Sequence, residues 1–551
     1  MSFLTRSALG RAMLSYRREF VWVGVFSFFT NVLLLAPTLY MLQVFDRVML
    51  SRSEMTLAFL TAIVLFLFGV NAFAEWIRSR LLVRIGVRFD ERLSPIVFRA
   101  GFAARFKGEG GDTATAFNDL TTIRQFVTGQ GVFAFFDVPW TPIYVAVLFM
   151  MHPLLGWTAV GFLTLLLVMG FMGGRSTEPA LERAIHASRD SGSFIAAKLR
   201  NSEVIEAMGM LGNLRVRWLH FYERHLDLHV GSQQAVHRVQ ALSKFARYSQ
   251  QSVVLAVGAW LVIQGEISAG AMVASNTLIA NALRPVDLLV SAWQTFLQSR
   301  TAYLRLEALV SENPEPEVDG HPLDRFQCME VSDLLAESAG GRTAILRGIT
   351  ARLEAASVTV IVGPSGAGKT TLMRCLMGIW PGQRGSVSIN GVELTRWSRE
   401  SLGPHVGYLP QDVELFDGSV AENIARAGTV DPELVIEAAK RAGVHEMILA
   451  LPKGYDTPVG EAGGRLSGGQ RQRLGLARAL YGTPKLVFLD EPNSNLDDVG
   501  EASLMQAVAE MKRAGSLVCM VVHNKRLMSM ADRLIVVEAG RVTQDRRLAQ
   551  A

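Results

Sequence analysis

Cysteine is scarce in this sequence, and so is charge. Cys328, Cys375 and Cys519 are far apart and odd in number, with no Cys-x-x-Cys pair and no histidine at metal spacing. That argues against a disulfide framework and a zinc site, and leaves three reduced thiols serving as small apolar residues. Only 19% of the 551 residues are charged while 50% are hydrophobic, a balance that an ordinary soluble protein of this length rarely has. Nor is a cleavable signal peptide expected. The first 19 residues are mixed and basic, and the apolar run behind them is too long and lacks a small-residue cleavage site. No internal repeat or low-complexity tract is evident. The formal charge of +5 does not point to nucleic acid, because the basic residues cluster beside the apolar runs, as in membrane proteins.

What is present is a chain in two parts. A membrane helix needs about 20 mainly apolar residues to cross roughly 30 Å of hydrocarbon. Four segments meet this, at 20–42, 55–77, 131–151 and 155–173. Two further stretches, at 251–268 and 270–293, are shorter or carry Arg284 and Asp287, and each alone reads as a buried soluble helix as readily as a span. Together they form a helical hairpin around Gly265, which favours six spans. Connections alternate between short and long, and the long ones hold most of the arginines, among them Arg80, Arg84, Arg88, Arg183, Arg189 and Arg215. The basic N-terminal arm lies on the same side, so the N-terminus and the long connections are expected in the cytoplasm. Apolar residues at helical spacing, such as Leu81, Ile85 and Phe89, suggest that the membrane helices continue beyond the bilayer.

Residues 1–310 are therefore expected to form an all-α membrane domain. Residues 311–325, acidic and rich in proline, read as a linker. From 326 to 551, short β-rich runs alternate with helical patterns, as in an α/β domain.

The chemistry lies in that second part. Val358–Val362 reads as a buried strand running into Gly363, Pro364, Ser365, Gly366, Ala367, Gly368, Lys369 and Thr370, with Thr371 opening a helical pattern. Glycines let backbone N–H groups turn inward around phosphate oxygens, and a helix N-terminus adds favourable partial charge. Lys369 is placed to reach the β- and γ-phosphates and Thr370 to ligate Mg²⁺. A second apolar run, Leu486–Leu489, ends in Asp490 and Glu491. By itself that could be a plain strand-end charge pair. Beside a phosphate loop it supplies a metal contact at Asp490 and a water-polarising carboxylate at Glu491.

Leu466, Ser467, Gly468, Gly469 and Gln470 open another helical segment. This run resembles the signature of ATP-binding-cassette ATPases, and the flanking motifs agree in order. Gln411 matches the glutamine that contacts the metal, Ser494 to Asp497 the loop joining two ATP sites, and His523 the histidine at the γ-phosphate. The resemblance spans about 326–540 and implies ATP and Mg²⁺. It makes Glu491, His523, Gln411 and Lys369 the catalytic set, with Thr370, Gln411 and Asp490 at the metal. It also implies a homodimer in which Ser467, Gly468, Gly469, Gln470 and Asp497 engage ATP held by the other subunit. One family element is absent: the stretch Ala336–Arg342 holds no aromatic ring to stack on adenine.

Cassette and spans in one chain resemble the ATP-binding-cassette exporters. The segment Phe135–Tyr144, the run Tyr408–Asp417 and Asp490–Asp497 resemble bacterial type I secretion exporters, in the group handling metalloproteases, lipases and haemophores. That group lacks an N-terminal peptidase-like domain, and only 19 residues precede the first span here. The resemblance implies inner-membrane export of unfolded polypeptides carrying C-terminal signals. Its implied partners are a periplasmic adaptor and an outer-membrane channel. Export of lipids or small amphiphiles is the alternative, and an ATP-gated channel or regulatory subunit is a second. Coupling helices are expected within Gly110–Thr122 and Ile195–Met210. Asp137, beside Pro139 and Pro142, either shapes a polypeptide path or packs one helix on another.

Overall fold

The computed structural model describes residues 8–107, 113–199, 202–314, 323, 325–338, 343–460, 463–494, 496 and 498–548. It divides into two compact units, Met1–Ala103 with Gly111–Asn313, and Pro314–Ala551 with Ala104–Gly110. Residues 315–322 and 324 of the expected linker lie outside the described residues, as do 110–112 and 200–201 of the expected coupling segments.

The first unit is helical. Its principal elements are α1 (Arg17–Leu33), α2 (Ala36–Gln43), α3 (Glu54–Lys107), α4 (Thr113–Thr128), α5 (Gln130–Asp137), α6 (Thr141–Met151), α7 (Pro153–Leu199), α8 (Leu211–Ile263) and α9 (Ala269–Glu312). Four stretches among the described residues are long and apolar enough to cross a membrane: Arg17–Ser51, Glu54–Lys107, Gly131–Met151 and Pro153–Ile195. The 54 residues of α3 would extend about 80 Å at 1.5 Å per residue, well beyond a bilayer's hydrocarbon. Large apolar side chains such as Phe59, Phe66 and Phe73 point outward from it, which in water would be unfavourable and in lipid is not.

Prolines set the break in the third span. Pro139 and Pro142 cannot donate to the preceding turn, and the chain passes from α5 through a 3₁₀ turn, Val138–Trp140, into α6. Helices α8 and α9 carry the stretches 251–268 and 270–293, joined through Gly265 in the left-handed conformation. Ser268 caps α9, and Asp46 reinforces that end by accepting the Gly270 N–H at 2.9 Å. Helix α9 runs on to Glu312, two residues into the segment read as linker.

The second unit holds two sheets. An antiparallel sheet has the order β2-β1-β4-β5, from β1 (Cys328–Glu337), β2 (Ala344–Glu354), β4 (Arg384–Ile389) and β5 (Val392–Glu393). The larger sheet has the order β10-β9-β3-β8-β7-β6. Its strands are β3 (Val358–Val362), β6 (Val406–Leu409), β7 (Leu486–Asp490), β8 (Leu517–Val521), β9 (Arg533–Glu538) and β10 (Arg541–Arg547). All its pairings are parallel except β9 with β10. Strands β7 and β8 are buried throughout, which requires apolar side chains on both faces. Val487, Leu489, Val518 and Met520 enter one core, while Phe488, Cys519 and Val521 enter the other. Cys375 and Cys519 are buried free thiols in that second core, pushed up to about 12 by burial. At neutral pH they are packing groups and not nucleophiles.

Candidate ATP site

Parallel α/β sheets bind ligands beyond the carboxyl ends of their strands, and here β3, β7 and β8 end together. After β3 the chain must turn sharply beneath β9. A Cβ on Gly363 would stand 2.1 Å from the Val537 carbonyl oxygen, so only glycine fits. Gly366 and Gly368 take left-handed conformations that open the loop, and Gly368 caps α10 (Lys369–Leu376). The Lys369 ammonium is buried and donates to the carbonyls of Gly363 and Pro364, both at 2.9 Å. Its charge thus stands inside the loop at the head of a helix, where phosphate oxygens would be attracted.

Asp490 ends β7 and is only 1% exposed. Both carboxylate oxygens are buried without a hydrogen-bond partner. The Thr370 hydroxyl interacts with the group but falls short of full hydrogen-bond geometry. Burial, aided by the Glu491 charge, lifts its pKa above the ordinary aspartate value, against the pull of Thr370, Arg374 and Lys369. A buried, unpaired carboxylate is costly unless a cation completes it. The oxygen set of Asp490 and Thr370 suits a hard divalent ion such as Mg²⁺.

Glu491 follows in the left-handed region, at φ 49°, which is strained for a side chain with a Cβ. Its N–H donates to the Val521 carbonyl at 3.0 Å. The turn aims the carboxylate between two other motifs: His523 Nε2 is 3.4 Å from one oxygen, and the Gln411 amide is 3.4 Å from the other. Residues 411, 491 and 523 thus converge, although they leave three different strands.

Sequence reasoning missed Gln472. Buried on α11 (Gly468–Leu480), its side-chain amide donates to the carbonyls of Glu491 and Pro492 and to the Ser494 hydroxyl, at 3.1, 2.9 and 3.1 Å. Its position two residues beyond Gln470 was visible, but nothing local indicates what it meets. Ser467 is the N-cap of α11, forming a capping box with Gln470. The Gln470 side chain is therefore engaged at home, accepting the Ser467 N–H at 2.9 Å. Among the described residues, no hydrogen bond or ion pair joins Ser467–Gln470 to the phosphate loop of the same chain. Asp497 and Asn495, and residues 339–342 of the ring-free upstream stretch, lie outside the described residues.

Comparison with known proteins agrees with this architecture. Residues 346–494 match the ABC transporter family, and 20–286 match the ABC transporter transmembrane region. The chain is 38% identical over 533 residues to the type I secretion system ATP-binding protein PrsD of Rhizobium meliloti (strain 1021), covering 96% of this chain and 92% of that protein. It is 28% identical over 550 residues to the leukotoxin translocation ATP-binding protein LktB of Mannheimia haemolytica, covering 97% and 76%. A solved bacterial Atm1-family ABC exporter with ATP bound shares the fold, at TM-score 0.83 and 21% identity over 96% of this chain and 95% of that one. With phosphate loop, strand-end carboxylates and signature helix following a membrane domain in one chain, this protein belongs to the type I secretion ATP-binding proteins of the ABC transporter family, ATPases that drive export across a membrane.

Proposed function

We propose that the chain works as a homodimer in the bacterial inner membrane, exporting unfolded polypeptides with C-terminal signals through a periplasmic adaptor and an outer-membrane channel. The observation that carries this reading is the likeness to secretion ATP-binding proteins over nearly the whole chain, membrane part included. The clustering of arginines in the long connections supports a cytoplasmic ATPase and N-terminus. The alternatives, lipid export or a regulatory channel, have no comparable support. Glu491 and His523, which a non-hydrolysing cassette has no need of, are both present and adjacent.

In each ATP site the loop N–H groups of Gly363–Thr371 and the Lys369 ammonium would bind the phosphates. Asp490, Thr370 and Gln411 would hold Mg²⁺. When bound, that ion supplies positive charge against the phosphate oxygens and fixes their geometry. Glu491 is positioned to orient a water and draw off its proton, with His523 and Gln411 on its two oxygens restricting where it points. Ser467, Gly468, Gly469, Gln470 and Asp497 would reach the other subunit's nucleotide. There the α11 N-terminus contributes N–H groups and its dipole, since the Gln470 side chain is held by the cap. In place of an aromatic ring, Ile345 beside Gly368 offers an apolar surface for the base.

Two measurements test the reading. Purified protein should hydrolyse ATP only with Mg²⁺, and removing the gene should abolish secretion of at least one C-terminally signalled protein. An unchanged set of secreted proteins, together with ATPase stimulated by lipid and by no C-terminal peptide, would count against polypeptide export.

A further inference from the structure

Outside the ATP site, the most unusual chemistry is buried between α1, α3, α5 and α9 of the membrane unit. Arg78 is 6% exposed and its guanidinium donates to Asp137 at 2.8 Å and to the Ser27 hydroxyl at 3.0 Å, lying over the Phe133 ring at 4.2 Å. Asn31 donates to the same Asp137 oxygen at 3.0 Å, and Tyr144 donates to the Asn31 carbonyl at 2.6 Å. The pair therefore has its own scaffold. A buried ion pair is seldom a net source of stability, because apolar residues of similar volume do as well or better. Its presence in a lipid-facing unit calls for another account.

Beside the pair lies a partly open cavity of about 270 Å³. Eight of its twelve lining residues are polar or charged. Several of these groups are unused. Arg78 Nε and the Thr30 hydroxyl are buried without partners. Glu75, half-buried, and Arg284, exposed, both line the cavity, and neither is in an ion pair among the described residues. Arg284 and Glu75 thus bring a free donor and a free acceptor, of opposite charge, to one small space.

That combination matches an extended main chain. A peptide in apolar surroundings strands an N–H and a C=O at every residue, each costly to leave unpaired. A route for it needs donors and acceptors together. A lipid headgroup site would instead need an apolar trough beside a cluster of one sign, and most of this lining is polar. We propose that this cavity is a subsite on the export path that takes a short stretch of extended polypeptide. Arg284 donates to peptide carbonyls and guides acidic side chains, and Glu75 accepts from peptide N–H groups. The inference rests on polypeptide being the cargo.

The experiment uses the full chain in its own cells. Deleting the gene first identifies the cargo as the protein lost from the medium. The photoreactive residue p-benzoylphenylalanine is then placed at Ser79, which lines the cavity, or at Phe66, which is 71% exposed on the same helix and outside the lining. After irradiation, an adduct with that cargo is expected from position 79 and not from position 66. Arg284→Gln, at an exposed and unpaired side chain, should lower cargo release several-fold at equal membrane levels of the exporter. If no protein disappears on deletion, the polypeptide reading fails and the subsite with it. A cargo adduct absent from position 79, equal adducts from both positions, phospholipid adducts alone, or full release by Arg284→Gln would each overturn the subsite while leaving export standing.

Discussion

The side-chain amide of Gln472 donates to the main-chain carbonyl of Glu491 at 3.1 Å, so the helix that begins with the signature grips the turn carrying the carboxylate proposed to orient water. The same amide reaches Pro492 and Ser494, and the turn it holds is strained at Glu491. Gln472→Leu keeps the volume and removes the donor. It should leave the buried Pro492 carbonyl unsatisfied, costing about 1–3 kcal/mol of stability, while the Glu491 carbonyl keeps the Ser494 N–H. Misplacing the carboxylate should also lower kcat about tenfold, equivalent to about 1.4 kcal/mol, with little change in KM for ATP. Steady-state kinetics beside a thermal melt would check this, and an unchanged kcat would remove the positioning role.

Asp490 predicts a conflict between stability and activity. Its folded pKa is raised above the unfolded value, so the folded state binds its proton more tightly. Its contribution to stability is therefore greatest below the ordinary aspartate pKa and is lost as pH rises through the folded value. Asp490→Asn removes that penalty. Without nucleotide, the variant should melt at a higher temperature than the parent at pH 7, and the gap should shrink toward pH 4. Its Mg²⁺-dependent ATPase should fall by about a hundredfold or more. Melting curves across pH, alongside ATPase assays, measure both halves.

Gly363→Ala should abolish nucleotide binding, because the added Cβ would stand 2.1 Å from the Val537 carbonyl oxygen and the loop must move. ATP protects the folded state in proportion to its affinity. The expected outcome is a loss of the ATP-induced rise in melting temperature. The same change at Gly366, where no atom lies within 4 Å of an added Cβ, should be milder, limited to the left-handed backbone strain.

Lys369→Ala should be more damaging than any change near the base. Its ammonium lies within the loop, whereas the upstream stretch offers no aromatic ring. ATPase activity should fall about a hundredfold or more, while GTP should replace ATP in the parent protein with a change of only a few-fold. A strong preference for adenine would mean that another group grips the base.

The membrane unit and the ATP site differ in how much of them the sequence disclosed. Four spans are legible because lipid demands long unbroken apolar runs, and no partner is needed to recognise them. The stretches within α8 and α9 are less apolar; the turn at Gly265 could be read between them, but the helix lengths became plain only when the helices were seen packed, with Asp46 capping the second. At the ATP site, the loop at 363–371, the carboxylates at 490–491 and the signature at 466–470 could each be read locally. The reason is geometric: a phosphate cradle and a helix cap are built from consecutive residues.

Tertiary structure alone decided the relationships across the chain. The contact of Gln411 with Glu491 spans 80 residues, and the Arg78–Asp137 bond spans 59. Nothing in the local pattern around Arg78 distinguishes it from the other arginines flanking the second span. Its pairing depends on helices α3 and α5 lying side by side, and so does the polar cavity beside the pair. From its sequence this protein reads as an ATP-driven exporter, and the family resemblance implies a site completed by a second subunit. How the Glu491 carboxylate is held, and where polar groups remain free within the membrane unit, depended on packing, because hydrogen bonds and ion pairs are satisfied in space and not along the chain.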